Sequence, residues 1–287
     1  MANETELTNF VTIGNMVSAL ASPALVNASI CMNLAHIEQF PDNTASIKFR
    51  KNGSLVAETV AESAAYTFSA SSELTDTSIT CTAVKWAVVS KLTAEALRFG
   101  TGAASLPRMA QEQGEALARL YDATMVALFT GFSVGVTAAT ILTKDNVLDA
   151  QYNVYDGKTP PGRLVAVLDY KGANELRKEI TSITASAWSN PAMLGIVNNN
   201  PKQNNLIGEL AGIDIYQTSG LPTSGGDDVA AVFHPQWAFC SGISGAIQTD
   251  VSPFKASDGF WYEISSYMFA DVKEWNDRAG CKLLSDT

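Results

Sequence analysis

The alternation of apolar and polar positions changes period several times along the chain. In Ile47-Lys48-Phe49-Arg50-Lys51 apolar and basic residues alternate, the period of a strand with one face turned inward. Asn52-Gly53 follows, and two residues that accept positive φ predict a tight hairpin turn there. Ser78–Val84 alternates again and leads into Trp86-Ala87-Val88-Val89, so residues 45–90 are expected to be β-structure. Between them, Glu62–Thr77 is rich in Ser, Thr and Ala and holds too few large apolar side chains to anchor a core. A two-stranded ribbon of this kind is marginal alone in water and wants a partner surface. Residues 1–30 scatter apolar positions among Thr, Asn, Ser and Ala with little period, and are expected to lie extended along another surface.

The clearest helical period runs from Ser105 as cap, through Pro107 in the first turn, to Gly131 as stop. Arg108, Glu112, Glu115, Arg119 and Asp122 recur at spacings that place them on one face. Met109, Leu117, Leu120, Tyr121 and Leu128 form an apolar stripe. At ~1.5 Å per residue this helix is about 40 Å long, and its charged stripe faces solvent or another subunit. A short helix near Thr143–Tyr152 precedes the buried-type strand Arg163–Leu168. Asp169 then caps a helix through Ile180, with Ala173, Leu176 and Ile180 inward. Ser186–Asn205, with Asn198-Asn199-Asn200-Pro201, reads as a long polar loop. Leu210–Tyr216 predicts a turn and a strand, ending at Leu221-Pro222, and Gly225-Gly226-Asp227-Asp228 a turn before the strand Val229–Phe233. Ala246–Val251 and Phe260–Glu274 read as strands, and Asn276-Asp277-Arg278 turns the chain into Ala279–Leu284. The class is α+β, with two interleaved lobes.

Composition adds a hint of assembly. Of 287 residues 46% are hydrophobic, too many for intrinsic disorder. Only 17% are charged, against about 25% in an average soluble domain, so sister subunits are expected to cover part of the surface. With 19 basic against 29 acidic residues the net charge is −10, which disfavours general binding to nucleic acid or to an anionic membrane. No apolar run approaches the ~20 residues of a membrane span. The opening Met1-Ala2-Asn3-Glu4-Thr5-Glu6 is acidic where a signal peptide is basic, so the chain is expected in the cytoplasm.

Candidate chemistry is sparse. Cys31, Cys81, Cys240 and Cys281 show no metal-ligand spacing and read as small buried hydrophobes. His36 has only Glu38 nearby, and His234, in Phe233-His234-Pro235-Gln236-Trp237, reads as a turn residue. Gly157-Lys158-Thr159 lacks the earlier glycine of a phosphate loop, since position 152 is Tyr, and Pro160-Pro161 stand where its helix would begin. Gly242-Ile243-Ser244-Gly245-Ala246 places Ala where a nucleophile elbow needs its last Gly. No catalytic, cofactor or metal site is expected. Lys48, Arg50 and Lys51 make a basic spot in an acidic chain, which is either a solvated hairpin tip or an arm end that meets acids on a neighbour.

The order of these parts resembles the major capsid protein of tailed double-stranded-DNA bacteriophages, the Hong Kong ninety-seven-type capsid fold. Thr77–Leu92 resembles the returning strand of the family's extended loop, and Leu106–Gly131 its spine helix. Gly208–Tyr216 through Leu221-Pro222 resembles a passage of its axial domain, and Tyr267–Leu284 the closing hairpin of its peripheral domain. The resemblance implies an N-terminal arm (1–44), an extended β-hairpin loop (45–90), a peripheral domain with spine helix (91–162), an axial domain (163–245) and the peripheral domain's C-terminal strands (246–287). It implies a structural role without enzyme activity: pentamers and hexamers of an icosahedral shell enclosing DNA, in the virion and, during assembly, in the host cytoplasm. Subunit contacts are then expected at Lys48, Phe49, Arg50, Lys51, Asn52 and Gly53 on the arm, at Glu112 and Glu115 on the spine, and at Asn198, Asn199 and Asn200 toward a symmetry axis. The implied partners are further copies, a portal, and a separate scaffolding or decoration protein; no membrane is implied. The Lys-to-Asn cross-link of one relative is not expected, because no Asn beside an acid matches Lys48 or Lys51. An encapsulin-like nanocompartment shell is the alternative, and the absence of an evident N-terminal helix leans against it.

Overall fold

The computed structural model describes residues 2–41, 44–52, 76–93, 101–138, 141–157, 159, 162–183, 206–256 and 259–286. Gly53, most of the Ser/Thr/Ala-rich stretch from 62, Lys158 and the polar loop with Asn198, Asn199 and Asn200 lie outside the described residues. The helices are α1 (Ala2–Ala28), α2 (Thr101–Ala127), α3 (Lys144–Asp156) and α4 (Tyr170–Ile183). The strands begin with β1 (His36–Gln39), β2 (Ser46–Asn52), β3 (Asp76–Thr82), β4 (Val84–Thr93), β5 (Gly135–Thr137) and β6 (Leu164–Leu168). They continue with β7 (Leu206–Leu210), β8 (Ile213–Gln217), β9 (Thr223–Ser224) and β10 (Asp227–Phe233). The last are β11 (Phe239–Ile243), β12 (Gln248–Ala256), β13 (Gly259–Glu274) and β14 (Gly280–Asp286).

β13 is the axis of the first sheet. It runs antiparallel to β4 along one edge, while β12 and β11 follow one another along the other. β1 joins β11 in parallel. On β13 the residues Ile264, Ser266, Met268, Ala270 and Val272 alternate inward, and the inward face of the sheet packs beneath α2. The second sheet has the order β5-β14-β10-β6-β8-β7, with β9 on β10. β6 is buried along its whole length because both faces of this sheet are covered. Val165 and Val167 join the core that α1 and α2 share, and Leu164, Ala166 and Leu168 join a second core with Val147, Ala150 and Val154 of α3 and Ala173 and Leu176 of α4. The third sheet is the ribbon β2–β3.

Local chemistry sets several boundaries as the sequence suggests. Asp169 caps α4 by accepting from Lys171 N and Gly172 N, both at 2.8 Å. Thr143 and Asn146 form a reciprocal capping box on α3. Gly225 and Gly226, at φ 70° and 102°, close the two-residue turn between β9 and β10.

Elsewhere the structure corrects the sequence reading. Residues 2–28 are helical, not extended. The weak period has a physical cause: α1 packs through small and hydroxylated residues on two different partners. Ser18 Oγ donates to the Ile247 carbonyl, Ile247 N donates to Ser22 Oγ at 3.3 Å, and Ala21 and Leu25 meet α2. α2 begins at Thr101, four residues before the expected Ser105 cap, with Pro107 inside it, and a 3-10 turn carries the chain to Gly131. Asn52 pairs with Asp76, so Asn52-Gly53 does not close a two-residue hairpin and the connection runs through residues 53–75. β4 belongs to the first sheet and not to the ribbon. β13 and β14 are not a hairpin: they lie in different sheets, β14 pairing with β10 and β5.

The crossing of α1 over α2 depends on Gly114. A Cβ there would collide with the Ala21 carbonyl oxygen and come within 2.8 Å of Ala24 Cβ. Gly114→Ala therefore tests the contact against intrinsic propensity. In a solvated helix it would gain about 1 kcal/mol. Here overpacking against backbone costs about 1–3 kcal/mol, and urea unfolding of the chain is expected to show a net loss.

Candidate functional site

The ribbon β2–β3 is the element most suited to reach another molecule, and its root is built from alternation. Ile47 and Phe49 turn inward and, with Cys81 of β3 and Cys240 of β11, form a small buried cluster flanked by Phe40, Ile79 and Trp275. Phe49 is 3% exposed and anchors the ribbon to its own body. Lys48 and Arg50 turn outward and are exposed, and Lys51 is half-buried. Asn52 is the last described residue of β2, and Gly53 lies beyond. Two polar contacts fasten the ribbon's exit into β4. Asp271 of β13 accepts from Thr82 N at 2.9 Å, and Ala83 N donates to the Ala45 carbonyl at 2.8 Å.

An aromatic column stands beside the root. Trp237, 41% exposed, stacks on Trp275 with ring centroids 6.0 Å apart and planes at 6°. Trp275 also meets His36 at 5.3 Å and Phe49 at 6.1 Å. Trp237 is placed by the turn that sequence predicts at His234, whose carbonyl accepts from Trp237 N and Ala238 N. His234 itself is buried, its Nδ1 accepts from Gln236 N at 3.3 Å, and burial pushes its pKa below the ordinary value. His36 bonds Glu38 at 3.2 Å. Next to Trp275, burial and then Asp277 raise the Glu274 carboxyl above its usual range, while Lys51 opposes them.

The charged stripe of α2 divides. Arg108, Glu112, Glu115 and Arg119 are exposed, and Arg108 Nε donates to Glu112 at 3.0 Å. A pair this open contributes about 0–1 kcal/mol. Asp122, the expected fifth member, turns inward and accepts from Ser29 Oγ at 2.6 Å and from Ile30 N and Cys31 N, each at 3.0 Å. It thus holds the chain where it leaves α1. Gln113, between the stripe's two glutamates, is fully buried and donates to Ser90 Oγ and the Ile264 carbonyl while accepting from Ser266 Oγ. That network ties α2 to β4 and β13. A glutamine within a polar-looking run gave no sign of this in sequence.

Glu112 and Glu115 are exposed acids on α2, an element separate from the ribbon that carries Lys48 and Arg50. Among the described residues no cluster of His, Cys, Asp or Glu is set to hold a metal, and no helix is long and apolar enough to cross a membrane. The four cysteines are buried free thiols.

The frame of the site is thus a long helix laid on a long-stranded sheet, a second lobe with helices on its far face, and a basic ribbon. Comparison with known proteins gives this frame a family. Residues 76–283 match the phage capsid protein family, and the chain belongs to it. The fold is also that of solved capsids. The structure of Mycobacterium phage Che8 aligns with TM-score 0.62 and 15% identity over 89% of this chain and 90% of that one. The head of Helicobacter pylori bacteriophage KHP40 aligns with TM-score 0.66 and 11% identity over 91% of each chain. The virus-like particle from Pyrococcus furiosus aligns with TM-score 0.59 and 9% identity over 94% of this chain and 98% of that one. No curated protein sequence matches significantly. The protein is a structural capsid protein of the Hong Kong ninety-seven-type fold, and its place is the virion capsid.

Asp122 generates a test with a sign. Burial raises its carboxyl above the ordinary value against the opposing pull of its hydrogen bonds. A folded pKa above the unfolded one means that the native state takes up the proton more readily, so stability from this group rises as pH falls through the raised value. In Asp122→Asn that dependence is absent. Unfolding midpoints measured from pH 7 downward are expected to shift in the wild type's favour relative to the variant. Asp122→Ala strands the amides of Ile30 and Cys31 and is expected to cost about 2–4 kcal/mol at pH 7 and more as pH falls.

Proposed function

We propose that copies of this chain assemble as pentamers and hexamers into an icosahedral shell that encloses double-stranded phage DNA. The observation that carries the reading beyond family membership is the two-faced ribbon. One face is fastened to its own body, and the other presents Lys48 and Arg50 outward from a chain of net charge −10. A basic projection on an acidic body is complementary to the body of the next copy, and Glu112 and Glu115 are acids such a neighbour offers. Contacts of this head-to-tail kind close into rings around an axis, and several modest contacts per subunit reinforce one another. The low charged fraction suits a surface largely covered by sister subunits.

In this reading 91–162 and 246–287 form the peripheral domain, 163–245 forms the axial domain with Asn198, Asn199 and Asn200 toward a symmetry axis, and within 1–90 it is the outward face of the ribbon that serves contacts outside the subunit body, since α1, β1 and β4 pack on α2, β11 and β13. β11 and β14 stitch the two domains together, since β11 sits in the β13 sheet and β14 in the β6 sheet. DNA is held by enclosure, a portal and a separate scaffolding or decoration protein complete the particle, and assembly takes place in the host cytoplasm. A second reading, an encapsulin-like compartment shell, draws on the helical α1, which removes the argument against it from the N-terminus. The family match favours the phage shell, and nucleic acid inside purified virions distinguishes the two.

Light scattering coupled to size exclusion is expected to show megadalton particles or discrete rings. A monomer near 30 kDa under all salt and crowding conditions overturns the proposal. Replacing Lys48, Arg50 and Lys51 together by Ala is expected to lower particle yield several-fold while the circular dichroism and unfolding midpoint of the free chain stay unchanged. Undiminished assembly removes the ribbon's cations from the mechanism.

A further inference from the structure

The small cluster at the ribbon root contains two thiols that capsid assembly does not call for. Cys81 on β3 and Cys240 on β11 are both completely buried, and their Sγ atoms stand 3.9 Å apart, in van der Waals contact. They come from strands that belong to different sheets, 159 residues apart in the chain. Alternation explains their orientation. Cys81 is on the inward face of β3, opposite Ile47 in the ladder, and Cys240 lies on β11 opposite Lys273 and beside His36 of β1. Ile47 and Phe49 are buried with the pair, and Phe40, Ile79 and Trp275 pack against them. Sulfurs already in contact have to close from 3.9 Å to the ~2.05 Å of a bond. Cys31 and Cys281 are buried in other clusters.

We propose that Cys81 and Cys240 are a cross-linking site, joined into a reversible disulfide by a peroxide oxidant, and that the bond pins the ribbon to the first sheet. The chemistry balances. The Cys81 sulfur attacks one peroxide oxygen, the O–O bond breaks, and a sulfenic acid and one water result. The Cys240 sulfur then attacks the sulfenic sulfur; the S–S bond forms, the S–O bond breaks, and the hydroxyl leaves with the Cys240 proton as a second water. Two thiols and one hydrogen peroxide thus give one disulfide and two waters, and a thiol or phosphine reductant reverses the step. The order of attack follows from the contact itself. Hydrogen bonding between the sulfurs holds the proton on Cys240, raising it well above the ordinary thiol value, and lowers Cys81. The lowered thiol is the one that reacts first. Hydrogen peroxide is small enough to reach a buried site.

The consequence is mechanical and local. With the thiols free, the ribbon's root is held by apolar packing and by contacts such as that of Thr82 N with Asp271. With the disulfide formed, β3 and β11 move as one body. The bond closes a long loop of chain, the case in which a cross-link restricts the unfolded state most. The proposal goes beyond the assembly reading and stands without it, because its test needs only the folded chain.

The test uses the full chain, treated with hydrogen peroxide or kept in a phosphine reductant, then alkylated, digested without reduction and mapped by mass spectrometry. Linked peptides containing Cys81 and Cys240, an intact mass lower by two hydrogens, and an unfolding midpoint raised on the order of 10 °C and restored by reductant are expected. The same link is expected in a Cys31→Ala, Cys281→Ala double variant and not in Cys81→Ser. Recovery of both peptides unlinked from the oxidised wild type, or linked to Cys31 or Cys281 instead, overturns the site. A link that leaves the midpoint unmoved overturns the pinning. The wild-type map is decisive even if a variant does not fold.

Discussion

The burial of one face of β13 beneath α2 is the contact on which the rest of the molecule hangs. A strand of 16 residues cannot satisfy its backbone and its apolar face with a single neighbour. β4 takes one edge and β11 with β12 the other, while α2 seals the inward face. Gln113 makes this seal directional. Its three hydrogen bonds fix the helix over Ser90, Ile264 and Ser266, where apolar packing alone would tolerate sliding. From that seat, α1 crosses at Gly114, the 3-10 turn Cys31–Asn33 that follows α1 is held on Asp122, and β4 leads back to the ribbon root.

What could be read from sequence was whatever one local partner decides. The continuous apolar run of β6, the Asp169 cap of α4, the Gly225-Gly226 turn and the His234 turn all carry their cause within a few residues. Alternation likewise placed Ile47 and Phe49 on one face of β2 and Lys48 and Arg50 on the other. The errors lie where the partner is remote. α1 has no clean period because it serves a helix and a strand edge at once, through Ala21, Ser18 and Ser22. Asn52-Gly53 has the composition of a tight turn, but register is set by the pairing of Ile47 with Cys81, and that fixes a much longer connection. Likewise Asn276-Asp277-Arg278 does turn the chain, but it hands β14 to the other sheet, a choice made by β10 and β5.

The candidate site shows the same division. Its basic residues were visible as an anomaly of charge, and the structure adds what the anomaly is mounted on. Phe49 looked like part of a projecting tip and is the bolt that secures it. Asp122 looked like one more surface charge and is a buried clamp, because helical spacing of four and three drifts around the cylinder and brings the last member of the stripe under α1's exit. The cysteine pair left no sequence trace at all, since its members are far apart in the chain and meet only when ribbon and sheet dock.

The orientation of β13 has a bearing on how such a subunit carries load. All three of its partners run antiparallel to it, and the rungs extend from Gly259 to Glu274. A pull along the strand loads these rungs in shear, many together, where a pull at right angles would open them one after another like a zipper. A shell wall stretched from within is under in-plane tension. A subunit whose longest strand lies along that tension resists by the strong direction of its hydrogen-bond ladder, and one whose strand lies across it yields by the weak one.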